Sequence, residues 1–335
     1  MKRKTRPKSV PWFIPVLIFV AVGVLFFAGG RILDGMSRGE EPTGDPDDRY
    51  AREQTFEFDG VRYRRKKGLT TILLMGVDRE DDSTEGRGYR NHGQADFLRL
   101  VVIDSKNEII HQMQIDRDTM TPITVLGIMG NKSGMRTTQI SLSHSFGDGA
   151  QKSCELTCDA VSNLLFGAEI DFYMALNMDG ISVLNDAVGG VTVTLADDFS
   201  HIDPTMIQGA TMTLVGDQAE IFVRTRRSMN VGTNEARMVR QQQYIAALSA
   251  LLDQKVREDQ SFIGTLYDSL EAYMVTNIRR ARLINEVWAA RNYRRSELIA
   301  PQGVHQIGND GFSQFIVDEK ALEKTVVELF YEPVK

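Results

Sequence analysis

Carboxylates and arginines gather at four places in this chain, and the chemistry open to them is that of a divalent cation or a phosphate. Asp78 closes Leu73-Leu74-Met75-Gly76-Val77-Asp78, and Asp96 stands just before the apolar run 97–103. Two carboxylates at the same end of neighbouring strands could share a hard, oxygen-seeking ion such as magnesium. As turn or cap residues they would need no metal. The third place is Ile115-Asp116-Arg117-Asp118-Thr119, where an arginine flanked by aspartates follows an apolar run; surface ion-pair clusters are the commoner fate of such a triplet. The fourth is Phe222-Val223-Arg224-Thr225-Arg226-Arg227, followed ten residues later by Arg237-Met238-Val239-Arg240-Gln241. Arg224 and Arg226 lie on one side if that stretch is extended, and Arg237, Arg240 and Gln241 share one face at the start of a helix. Planar guanidinium groups bind phosphate oxygens bidentately, so such a set suits a phosphate or pyrophosphate. A solvated charged helix face is the other reading.

Strands and helices must position these groups. Phe56-Glu57-Phe58 and Val61-Arg62-Tyr63 flank Asp59-Gly60, a two-residue hairpin signal. The basic residues Arg64 to Lys67 read as a solvated edge. Apolar runs at 71–77, 97–103 and 108–115 predict the centre of a sheet, the last two as an antiparallel hairpin. The polar, glycine-bearing stretch 79–93 is then a loop at a strand end. Helical periods follow from residue 141, with Leu156, Ala160, Leu164 and Leu165, then Ile181, Leu184 and Val188 before Gly189-Gly190 and a strand at 191–195. Further helices are predicted at 217–223, 235–252, 261–274, 279–292 and 318–330, with a short strand at 297–300. Strands interleaved with helices imply an α/β fold, a three-layer α-β-α sandwich on a mixed central sheet.

The 335 residues, 42% hydrophobic and 25% charged, are ordinary for a globular chain. Residues 9–30 carry no charge, and a helix of that length covers the roughly 30 Å hydrocarbon layer. Lys2, Arg3, Lys4, Arg6 and Lys8 precede it, so the positive-inside bias places residues 1–8 in the cytoplasm and the rest outside. The run is longer than a signal-peptide core and lacks a small-x-small cleavage site, so an uncleaved anchor is expected. Residues 31–53, rich in Pro, Gly and Asp toward their end, read as a juxtamembrane linker, and 54–335 as the extracytoplasmic domain. Removing the five basic residues of the tip from the formal charge of −6 leaves about −11, which disfavours nucleic acid as a partner. Cys154 and Cys158 are the only cysteines, and their i, i+4 spacing does not favour a disulfide. There is no CxxC, Walker loop or HExxH.

Over roughly 69–252, and in its N-terminal topology, the chain resembles the LytR-CpsA-Psr family of membrane-anchored envelope proteins. The resemblance runs through Gly76-Val77-Asp78, Asp96, Asp116-Arg117-Asp118, residues 140–149, Ile170-Asp171-Phe172-Tyr173 and Ala187-Val188-Gly189-Gly190-Val191. It continues through Gln208-Gly209-Ala210, Gly216-Asp217-Gln218-Ala219, Arg224-Thr225-Arg226 and residues 237–243. It implies a phosphotransferase that moves a glycopolymer from a polyprenyl-pyrophosphate carrier to peptidoglycan with magnesium. Asp78 and Asp96 would be the metal-side carboxylates. Arg117, Arg224 and Arg226 would clasp the pyrophosphate, and Arg237, Arg240 and Gln241 would form the supporting face. Asp96, Arg117 and Arg237 then make the catalytic set, while Arg224, Arg226, Arg240 and Gln241 hold the carrier.

Several positions depart from the family pattern. The arginine after Asp78 is displaced by one place to Arg79, and Gln94-Ala95-Asp96-Phe97 stands where Arg-Ser-Asp-Thr is expected. Gln139 and Ser141 replace a lysine and an asparagine, and Asn234 replaces an aspartate. Arg79, Arg87 or Arg90 could substitute for lost cations. The departures favour a second reading, a non-catalytic polyprenyl-phosphate-binding or regulatory envelope protein.

Overall fold

The computed structural model describes residues 55–78, 93–127, 130–225 and 233–334. The expected basic tip, membrane anchor and linker, most of the 79–93 loop with Arg79, Arg87 and Arg90, and Arg226 lie outside the described residues. Among the described residues no helix is long and apolar enough to cross a membrane.

Strands β1 (Thr55–Phe58) and β2 (Val61–Arg65) form the hairpin that Asp59-Gly60 signals, pairing Phe58 with Val61. Asp59 and Gly60 both take positive φ, 47° and 74°, as a type I′ turn requires. Then come β3 (Leu69–Asp78), β4 (Gln94–Asp104), β5 (Ile109–Ile115), β6 (Met120–Leu126) and β7 (Lys132–Gln139). A 3-10 segment, Ile140–Phe146, leads into α1 (Gln151–Leu164), β8 (Phe172–Asn177), α2 (Gly180–Ala187), β9 (Val191–Thr194) and β10 (Thr211–Leu214). Helices α3 (Asp217–Arg224), α4 (Thr233–Glu258) and α5 (Ser261–Leu270) follow, then β11 (Met274–Thr276), α6 (Arg280–Ala290) and β12 (Arg294–Ile299). The chain closes with β13 (Gly303–Ile307), β14 (Ser313–Val317), α7 (Glu319–Phe330) and β15 (Tyr331–Pro333).

The three apolar runs are the middle of a six-stranded mixed sheet of order β11-β8-β3-β4-β5-β12. Neighbours β3, β4 and β5 are antiparallel, whereas β8 runs parallel to β3 and β12 parallel to β5. Ile72, Leu73, Leu74 and Met75 have no exposed surface, so side chains on both faces of β3 are covered. That explains why the run is continuously apolar rather than alternating. Leu156, Ala160, Val161 and Leu164 of α1 enter the core at the spacing that the sequence displays.

Three local expectations are corrected. The helix expected over 261–274 ends at Leu270, and Met274-Val275-Thr276, with two β-branched residues, becomes the edge strand paired with β8. The basic stretch after Tyr63 is no free edge: β15 returns from the C-terminus to pair with the other side of β2, and Arg65 is bound by Glu169. Arg224 is the last residue of α3 rather than part of an extended stretch, and Thr225 caps that helix. The hairpins β6–β7 and β13–β14 have no counterpart in the sequence reading. In β7 most residues face solvent, leaving no apolar alternation to detect. Cys154 is buried, Cys158 is partly buried, and both are free thiols.

Candidate functional site

The C-terminal end of β3 and the N-terminal end of β4 meet at an irregularity that aims a carboxylate. Gly76 pairs with Phe97 but Val77 pairs with Ala95, so Asp96 is the extra residue of a β-bulge. Bulges redirect a side chain out of the regular alternation. Asp78, opposite Gln94, occupies the same strand end and is placed here by its backbone.

The turn after β5 supplies the partner. Asp116 Oδ1 accepts the Asp118 amide at 2.8 Å and the Thr119 amide donates to the Asp116 carbonyl at 3.0 Å, a self-bonded Asx turn. The turn displays Arg117, whose Nη1 lies 2.5 Å from Asp96 Oδ1 and whose Nη2 donates to Gln94 Oε1 at 2.8 Å. Arg117 Nε lies 3.6 Å from Asp118 Oδ1. Arg117 and Asp96 are 38% and 32% exposed, so the pair is partly open to solvent. Asp96, Arg117 and the end of β3 therefore come together as the spacing suggests.

The substituted positions are built into this frame. Gln94 holds Arg117, and Gln139 Nε2 donates to the Ser313 carbonyl at 2.7 Å. The Ser141 amide donates to the Arg117 carbonyl at 3.2 Å, and its hydroxyl is buried with no hydrogen-bond partner. His144 and Ser145 both bond the carbonyl of Gly93, fixing the entry to β4.

Arg240 has a different fate from an open phosphate ligand. It is 2% exposed and its guanidinium is engaged on all sides. Nε donates to the Phe222 carbonyl at 3.0 Å, Nη2 to the Thr225 carbonyl at 2.6 Å, and Nη1 bonds Asp197. Cationic groups satisfy the carbonyls that a helix C-terminus leaves unpaired. Arg240 thus fixes the end of α3, where Arg224 sits, and is itself enclosed rather than part of an open supporting face. Arg224, Arg237 and Gln241 are placed by their backbones, Arg224 at the end of α3 and the other two in the first turns of α4.

One residue that the sequence reading did not single out joins the site. His305 of β13 has Nε2 3.2 Å from Asp116 Oδ2 and its ring 4.7 Å from that of Phe315. The β13–β14 hairpin docks on the Asp116 turn through a Phe315 amide to Asp118 carbonyl bond of 2.8 Å and a bridge between Thr119 and Phe315. Burial pushes the Asp116 carboxyl above the ordinary aspartate range, partly offset by the Asp118 amide and His305. The findable signal was Gly308-Asn309-Asp310-Gly311 between two strand-forming runs.

A magnesium ion is commonly held by one or two carboxylates with the remaining ligands from substrate phosphates and water. Asp96, aimed out of the sheet by its bulge, with Asp78 at the same strand end, fits that donor set. Among the described residues there is no cluster of three side chains that would cage a metal without substrate.

The model of the LytR_cpsA_psr family matches residues 36–330. The chain belongs to that family. The match extends past residue 252, where the resemblance seen in the sequence stopped, and so includes the β13–β14 hairpin. A similar protein is the polyisoprenyl-teichoic acid–peptidoglycan teichoic acid transferase TagU of Halalkalibacterium halodurans, 32% identical over 178 residues. That alignment spans 53% of this chain and about half, 51%, of the relative. The protein of the same name from Bacillus cereus is 24% identical over 329 residues, 94% of either chain. Among solved structures, B. subtilis TagV is 25% identical with a TM-score of 0.54, covering 78% of this chain and 97% of that one. The likeness is that of a mixed α/β fold on a mixed central sheet.

Proposed function

We propose that this family member transfers a glycopolymer from a polyprenyl-pyrophosphate carrier to peptidoglycan at the Asp96–Arg117 strand end. The observation that carries the reading is the bulged Asp96 held against Arg117 at the end of the buried strands. The names of the similar proteins, teichoic acid transferases acting on peptidoglycan, point the same way. On this reading Arg117, with Arg224 and Arg226, clasps the pyrophosphate, and Arg237 and Gln241 lie beside it. Arg240 serves by holding the α3 terminus. Phosphoryl transfer asks chiefly for positioning and for neutralised oxygen charge. Asp78 and Asp96 would hold magnesium, which supplies further positive charge to those oxygens. Residues 9–30 would anchor the domain on the outer face of the cell membrane, beside a lipid-linked donor, with the N-terminus in the cytoplasm.

The second reading, a carrier-binding or regulatory protein without transfer, draws on Gln94 and Gln139, uncharged amides where the family pattern has cations, both already bonded within the protein. The test is transfer of a labelled, carrier-linked glycan to peptidoglycan by the full chain in lipid vesicles. Transfer that needs magnesium and is lost in Asp96→Ala and Arg224→Ala supports the enzyme. Carrier binding without transfer establishes the second reading.

A further inference from the structure

We infer that the β13–β14 hairpin is a second membrane contact, which dips its apolar side chains into the outer leaflet and turns the Asp96–Arg117 strand end toward the bilayer. The inference rests on the reading of residues 9–30 as an anchor. Val304, Ile307, Phe312 and Ile316 are 67%, 71%, 64% and 42% exposed, more large exposed apolar side chains than any other hairpin carries among the described residues. Val304 and Ile316 are cross-strand partners, while Ile307 and Phe312 flank the Gly308-Asn309-Asp310-Gly311 turn. All five residues of β13 are exposed, so both faces of that strand stand clear of the domain. Single exposed apolar residues are ordinary, but several together on a projecting element mark an interaction surface. A groove suits an isolated lipid chain, whereas a projecting apolar tip suits the boundary between headgroups and acyl chains.

Charge and tether select a bilayer over another protein. The neighbouring β6–β7 hairpin is joined to this one, since Gln139 Nε2 donates to the Ser313 carbonyl at 2.7 Å and Thr119 bridges to Phe315. Across residues 120–139 and 303–317 there is a single acid, Asp310, in a chain that is acidic overall, and Lys132 and Arg136 of β7 are exposed. Anionic headgroups therefore meet little repulsion from these two hairpins. The tether enters at the other end of the sheet. Thr55, the first residue of β1, pairs with Arg64 close to the start of β3, and Leu69 lies about 30 Å from Asp78 along that strand. Residues 31–54 span at most roughly 80 Å when extended, enough to pass the length of the sheet and leave the site end down on the bilayer.

An anchor alone leaves the domain free to face its site away from a lipid-linked donor. A contact at the site end removes that freedom, and the hairpin is in place to make it. Ile307 pairs with Ser313, which accepts from Gln139, and Gln139 Nε2 lies 3.4 Å from Asp118 Oδ1 on the turn that displays Arg117.

The test attaches a fluorophore to Phe312→Cys, or to Lys106→Cys for comparison, in the full chain reconstituted in vesicles of phosphatidylcholine and phosphatidylglycerol. Lys106 is exposed just after β4, at the opposite end of that strand from Asp96. Native chain carried through the same labelling corrects for Cys154 and Cys158. The Phe312 probe should be quenched by nitroxides on the lipid acyl chains and lose most of the iodide quenching that the Lys106 probe shows. Equal iodide quenching at the two positions, in a chain that stays with the vesicles through a carbonate wash, overturns the inference and leaves the anchor standing. Shielding from iodide without quenching by lipid nitroxides means that protein, a second copy included, covers the hairpin, and also overturns it. A chain released by the wash overturns both the inference and the anchor.

Discussion

Arg117 and Arg240 each face an aspartate, yet one side chain is 38% exposed and the other 2%. Arg240 donates to two carbonyls and to Asp197, and packs 5.2 Å from the centre of the Phe199 ring, so its charge is consumed within the fold. Arg117 keeps a solvent face, and its partner Asp96 sits on a bulge, open at the strand end. In one sequence, then, arginines of equal promise divide into one enclosed in the frame and one that keeps a solvent face. Burial decides which is which: an enclosed guanidinium must be saturated by protein acceptors, whereas a half-exposed one can exchange a carboxylate for a phosphate.

The largest effect should come from breaking the frame. Arg240→Ala leaves Asp197 buried without its counter-charge and should cost about 3–5 kcal/mol of stability in denaturant titration; a loss under about 1 kcal/mol would show that the enclosed pair is not structural. Arg117→Ala should shift the unfolding free energy by no more than about 1 kcal/mol, because partly exposed pairs contribute little. If it unfolds the domain instead, the division between the two arginines fails.

A smaller effect sharpens the contrast on the site side. Burial raises the Asp116 carboxyl above its ordinary value of 3.8, so the folded state holds that proton more tightly than the unfolded chain. Its stabilising contribution is complete below about pH 3.8 and is lost as pH rises through the raised value. Asp116→Asn should therefore flatten the pH dependence of stability above pH 3.8 in the acid range. An identical slope in the two proteins would count against a buried, charge-penalised Asp116.

The centre of the fold is legible because β3 is buried on both faces and reads as a continuous apolar run, and β4 and β5 beside it are mostly buried and mostly apolar. Asp59-Gly60 is legible because a type I′ turn admits few residue pairs. The bulge at Asp96 is not, since it is a property of pairing: only the shift between Gly76 and Val77 against β4 creates it. Nor is the inward turn of Arg240, which depends on where α3 ends and where Asp197 falls after β9. The Asp96–Arg117 pair could be anticipated from two strand-end motifs, whereas His305 reaches Asp116 only through the docking of a distant hairpin, which local pattern does not encode.

The central claim is that the Asp96–Arg117 strand end receives the pyrophosphate of a lipid carrier. Calorimetric titration of the full chain with polyprenyl pyrophosphate, with and without magnesium, tests it directly when native protein is set beside Arg117→Ala. Tight, magnesium-strengthened binding that falls at least tenfold in Arg117→Ala, at an unchanged melting temperature, is the predicted result. Equal affinity in the two proteins, or no binding by the folded native chain, would contradict it.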